Sequence, residues 1–172
     1  MKNHLPFFFL FFILPFSIFL PHSLSAQDRG MQPVQVMVEG SATKLYFQSH
    51  ALLIGVGNYS HELASLPGVR EDINTVKTAL KNNGFDVKVV MNPDRYEMDK
   101  AFTDFIGKFG QDVESRILFY FAGHGYTKKM SYGEELGFLL PADAIDPGKN
   151  PNTFQSKALS MTLVETYALQ IQ

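Results

Sequence analysis

Three apolar runs alternate with two helical stripes between residues 51 and 121, and this alternation narrows the possible folds more than any other feature. The runs are ALLIGVG (51–57), FDVKVVM (85–91) and RILFYF (116–121). Short, nearly continuous apolar stretches of this kind read as strands buried on both faces. Between the first two, Val69, Ile73, Val76 and Leu80 recur at helical spacing, and Asn83-Gly84 stop the helix. Asp94 and Glu97 predict a capping box, followed by a second stripe of Met98, Phe102, Phe105 and Phe109 that closes at Gly110. Strand, helix, strand, helix, strand with short links predicts an α/β fold, a mostly parallel sheet sandwiched by helices. The third run is expected inside that sheet, fully buried.

The flanking segments are less regular. Residues 34–39 (VQVMVE) alternate valine with other residues and suit a half-exposed strand or an extended lead-in. Residues 135–144 (ELGFLLPADA) predict a short strand or hairpin arm ending at Pro141, and residues 146–152 a loop. Thr162 and Glu165 predict a second capping box, opening a helix that carries Leu163, Tyr167 and Ile171. The sequence ends within that helix, where this architecture calls for another strand. The domain is therefore expected to be incomplete at its carboxyl end, with an apolar sheet edge left open.

Residues 1–26 stand apart. Lys2 precedes an uncharged, phenylalanine-rich run from Leu5 to Leu20, and Ser23, Ser25 and Ala26 follow. This is the layout of a secretory signal peptide, with cleavage after Ser25 or Ala26. The run contains Pro6 and Pro15 and is shorter than the ~20 residues of a membrane-spanning helix. An exported protein is expected, periplasmic, surface-bound or extracellular, with no stable membrane span once the leader is removed. Residues 27–48 then form a lead-in and 49–172 the folded domain. A formal net charge of −2 gives no reason to expect nucleic-acid binding. The absence of cysteine excludes disulfides, thiolate metal sites and a cysteine nucleophile within these residues.

The segment of most chemical interest is ILFYFAGHGY (117–126), where a strand runs into Gly123-His124-Gly125. Side chains at the carboxyl end of a parallel strand face the crevice in which such sheets bind ligands. An imidazole there can take a proton from a nucleophile and return it to a leaving group, and the Gly125 amide can stabilise an oxyanion. A tight turn with a hydrogen-bonded histidine explains the same residues structurally. Asp72 lies in the first turn of the first helix, where the helix dipole stabilises an acid, and it could also select a basic side chain. Gly55 and Gly57, in GVGNYS, match a phosphate-binding loop weakly, since the third glycine is missing. His50, His61 and His124 lack tight ligand spacing, so no metal site is expected, and no organic cofactor is needed.

In order and spacing, ALLIGVGNY, LPGVREDINTVKTALKNNGFDVKVV, ILFYFAGHG and GFLLPADA resemble the caspase-like cysteine peptidases (peptidase C14), in particular their bacterial and metacaspase-type branch. The resemblance covers about residues 50–143, and ALSMTLVE is similar to the helix start that follows. It implies a caspase–haemoglobinase sheet and cleavage of peptide or protein substrates by a His–Cys dyad. His124 matches the dyad histidine, Gly125 the oxyanion-hole amide, and Asp72 the acid that lines a pocket for a basic residue before the scissile bond. Ala122 stands where metacaspases often carry serine. The family's cysteine follows the next strand, so the resemblance implies an N-terminal fragment, inactive alone. A non-catalytic peptide- or partner-binding module is the alternative, and a nucleotide-binding domain using Gly55 and Gly57 a third reading.

Overall fold

The computed structural model describes residues 34–172; the leader lies outside the described residues. The chain begins with a hairpin of β1 (Val34–Val38) and β2 (Ser41–Tyr46), paired antiparallel. Glu39 and Gly40 link them, both with positive φ (49° and 81°), as a two-residue turn matched to strand twist requires. The sequence suggested β1; β2 was hidden in a stretch with no clear alternation.

The main sheet follows the expected order. β3 (Gln48–Gly55), α1 (Val69–Asn82), β4 (Asp86–Met91), α2 (Arg95–Phe109) and β5 (Ser115–Ala122) give a parallel three-stranded sheet with strand order β4-β3-β5. Because side chains alternate across a strand, β3 feeds two cores. Ala51 and Leu53 pack against Val69 and Ile73 of α1. Leu52 and Ile54 face Met98, Phe102 and Phe105 of α2. The Asp94–Glu97 capping box is present: the Glu97 amide donates to Asp94 Oδ1 at 2.8 Å and the Asp94 amide to Glu97 Oε2 at 3.1 Å.

The expected place of the third strand needs correction. β5 is at the margin of the three described strands and β3 is in the middle. Residues 116–122 of β5 are accordingly only partly buried, although their sequence is as apolar as that of β3. An apolar run shows that a strand is wanted in the interior but not how many neighbours it finds.

Beyond β5 the chain builds a second, antiparallel sheet from β6 (Gly125–Lys129), β7 (Glu135–Leu139) and, after α3 (Pro151–Lys157), β8 (Leu159–Ser160), in the order β6-β7-β8. β7 ends just before Pro141, as anticipated. α3 replaces the end of the predicted 146–152 loop. Asn150 caps it by accepting from the Thr153 amide at 3.2 Å, and Pro151 supplies a preset φ at the first helical position. α4 (Met161–Ala168) is capped by Ser160, whose Oγ accepts from the Leu163 amide at 3.3 Å. The predicted Thr162–Glu165 capping box is thus not formed and the cap lies two residues earlier, because Ser160 ends β8 in an extended conformation while Thr162 is already helical. Tyr167 of α4 stacks on Phe102 and donates to Asp99 of α2, fixing α4 over the same face as α2. No helix among the described residues is long and apolar enough to cross a membrane.

Candidate active site

His124 lies between β5 and β6, where the chain leaves the carboxyl end of the parallel sheet for the second one. Three contacts hold it. Its backbone amide donates to Tyr59 Oη at 2.7 Å. Its Nε2 lies 2.8 Å from the Ala64 carbonyl oxygen. Its ring rests against that of Tyr59, with centroids 4.9 Å apart. A carbonyl oxygen can only accept, so Nε2 carries the proton. In the neutral imidazole the lone pair is then on Nδ1, on a ring that is partly exposed.

Tyr59 and Ala64 both belong to the loop between β3 and α1. Asn92, just past β4, fastens that loop: its Oδ1 accepts from the amides of Gly57 and Asn58 at 2.9 and 3.0 Å. Asn92 adopts a φ of 50°, and its own amide donates to the Gly55 carbonyl. The PADA segment adds a second tie, the Ser60 amide donating to Ala142 O at 2.8 Å. Burial holds the Tyr59 phenol above its ordinary pKa, partly opposed by the hydrogen bond from His124. It is a neutral acceptor for the His124 amide.

The glycines divide into two kinds. A Cβ at Gly123 would fall 2.7 Å from the Phe121 ring and 3.0 Å from Tyr59 Oη, so this glycine lets the tyrosine reach the His124 backbone. At Gly125 the nearest atom would be Phe138 O at 3.6 Å, an ordinary contact. Packing alone does not demand a glycine there. The β6–β7 register also aims the Gly125 amide. His124 O accepts from the Leu140 amide and the Met130 amide donates to Glu134 O, so the even-numbered residues of β6 form the hydrogen-bonded pairs. Gly125, opposite Leu139, is a non-hydrogen-bonded position, and its N–H points away from β7.

Asp72 lies in the first turn of α1, exposed, its amide donating to the Gly68 carbonyl at 3.1 Å. It is at the same carboxyl end of the sheet as His124, but no hydrogen bond or ion pair joins the two. Gly55 and Gly57 have packing roles. A Cβ at Gly55 would come 2.7 Å from Ile73, and one at Gly57 3.0 Å from Leu66 O. With the Gly57 and Asn58 amides already given to Asn92, this loop lacks the free donors a phosphate needs, and the nucleotide reading fails.

His50 occupies the opposite, amino end of the sheet. It is 3% exposed, stacked on Phe109 at 3.9 Å, with Nε2 3.1 Å from Gln48 Oε1. Its Nδ1 has no hydrogen bond and lies 3.7 Å from Asp86 Oδ2. Burial lowers its pKa, partly opposed by Asp86. A cleft of about 400 Å3 between β4 and α2, lined by Asp86, Lys88, Asp104, Phe105, Lys108 and Phe109, is also at this end. It has no part in the His124 arrangement.

Two contributors escaped the sequence reading. Tyr59 was visible within GVGNYS, but nothing in the string linked it to residue 124. The Ala64 carbonyl is a backbone group and leaves no residue-type signal. In the protein-family comparison, residues 48–170 match the peptidase C14 model, described as the caspase domain. No curated protein matches the chain.

Proposed function

The chain belongs to the caspase-domain family, peptidase C14, and on that premise we propose that it carries the base and oxyanion half of a cysteine endopeptidase. In this reading Nδ1 of His124 takes the proton from a cysteine thiol, and the thiolate attacks the scissile carbonyl carbon. The carbonyl electrons move to oxygen, and the Gly125 N–H stabilises the oxyanion. As the tetrahedral species collapses, the C–N bond breaks and the imidazolium returns its proton to the departing amine. Water, deprotonated by the same nitrogen, then hydrolyses the thioester. Asp72 would face a basic side chain before the scissile bond, attracting it by charge.

The observation that carries this reading is the Nε2–Ala64 contact, which fixes the tautomer and leaves Nδ1 as the basic nitrogen. These 172 residues contain no cysteine, so the sulfur must come from sequence outside them. The same fact favours a second reading, a caspase-like module that binds peptides without cleaving them. An arginyl acyloxymethyl ketone probe separates the two when applied to the product of the native gene. The peptidase reading expects labelling of a cysteine that His124→Ala abolishes; the absence of any labelled cysteine contradicts it. The 172-residue chain alone is expected to hydrolyse nothing, and His124-dependent turnover by it contradicts the assignment of roles. Export rests on the leader sequence, and an exported protein beginning at Ala26 or Gln27 by amino-terminal sequencing is its expected signature.

A further inference from the structure

We propose that the free edge of β6 is a main-chain binding rail for the peptide flanking the scissile bond; this rests on the site reading above. With the even-numbered residues of β6 bonded to β7, the N–H and C=O groups of Gly125, Thr127 and Lys129 point the other way. β6 is the terminal strand of its sheet, and among the described residues no strand pairs with its outer edge. The donor assigned to the oxyanion is therefore also the first rung of an open ladder. Its rungs repeat every second residue, about 6.8 Å apart, which is the repeat of an extended peptide. A substrate whose carbonyl sits at the Gly125 amide has its neighbouring residues carried along this edge.

Three further features fit an extended chain on this edge. The β6–β7 pairing runs from Gly125 to Lys129 without a bulge or a proline, two of the devices that blunt an exposed edge. The part nearest His124 is Gly125-Tyr126-Thr127, uncharged and exposed, while the charged residues Lys128 and Lys129 come only at the far end. The inner face of β6 is already anchored, because Tyr126 packs edge-on against Phe154 with centroids 5.0 Å apart. Binding therefore needs little reordering of the strand. The mode is strand addition, in which main-chain hydrogen bonds supply affinity whatever the sequence.

Thr127→Pro in the full chain tests this directly. It deletes an outward N–H that does not serve the β6–β7 ladder, and proline is tolerated at such edge positions. The probe is a fluorescein-labelled decapeptide with one central arginine, read by anisotropy, with the His124 imidazole resonances followed in parallel. The expected result is binding weakened about tenfold by Thr127→Pro, unchanged by Thr127→Ala, with circular dichroism like that of the wild type. On the wild-type protein, N-methylation along the peptide should weaken binding at alternate positions only, a readout that does not depend on the variant folding. Equal affinity in Thr127→Pro, with His124 resonances still shifting, overturns the rail and leaves the site reading standing. Binding that never shifts His124 overturns both. Uniform loss across the N-methyl series overturns the rail alone.

Discussion

β3 and β5 are neighbours in one parallel sheet, have similar apolar sequences, and end in different circumstances. β3 has a strand on each side and a helix on each face, and Ala51 to Ile54 are at most 1% exposed. β5 has one neighbour among the described residues and is half-buried along most of its length. Each strand also brings a histidine. His50 at the start of β3 and His124 just beyond β5 both give Nε2 to an oxygen acceptor, and neither Nδ1 makes a hydrogen bond among the described residues. At His50 that nitrogen is sealed among Phe109, Gln48 and Asp86; at His124 it belongs to a half-exposed ring at the carboxyl end. The chemistry of the ring is the same at both places. What differs is access, and access follows from which strand is central and which end of the strand carries the residue.

The largest expected effect of this difference is on core packing. Leu53 and Leu118 face the same α1 side of the sheet, one fully and one partly buried. Leu53→Ala should cost about 3 kcal/mol of stability in urea unfolding, and Leu118→Ala roughly half as much. Equal losses would mean that β5 is as well enclosed as β3, and the contrast between the strands would disappear.

A smaller effect concerns pH. Burial depresses the His50 pKa in the folded state below its ordinary value of 6.5. Above 6.5 both folded and unfolded forms are neutral and the stability is fully present. Below it the unfolded chain takes up a proton that the folded chain resists, so stability falls as pH drops from 6.5 towards the folded pKa. His50→Phe should flatten that part of the profile in urea titrations at several pH values. An unchanged acid slope would assign it to the carboxylates instead. The smallest effect is expected from His124→Ala, which removes a half-exposed ring and should alter stability by less than about 1 kcal/mol. A loss as large as that at Leu53 would make His124 a structural residue.

The parts of the fold legible in the sequence are those with strong periodicity. β3, α1, β4 and α2 were each specified by an apolar run or stripe and by an end signal such as Asn83-Gly84 or the Asp94–Glu97 box. β6 was not, because GYTKK is an edge strand exposed on most positions and offers no alternation. α3 could have been found from Asn150-Pro151, a cap followed by proline, but seven residues carry too little periodicity to stand out. Strand order was beyond reach, since β5 reads as interior from its composition, whereas among the described residues it has one neighbour. At the site, His124, Gly125 and Asp72 were named from type and position. The partners that orient the imidazole, Tyr59 Oη and Ala64 O, could be seen only after the β3–α1 loop was folded back over residue 124.

The proposed chemistry of the site depends above all on which nitrogen of His124 carries the proton. Long-range 15N–1H correlation spectra of the neutral form, assigned with His124→Gln, report this directly. The prediction is a protonated Nε2 and a bare Nδ1. A protonated Nδ1 with a bare Nε2 would contradict it, because the contact with the Ala64 carbonyl could not then form and the ring would offer the wrong nitrogen to a thiol.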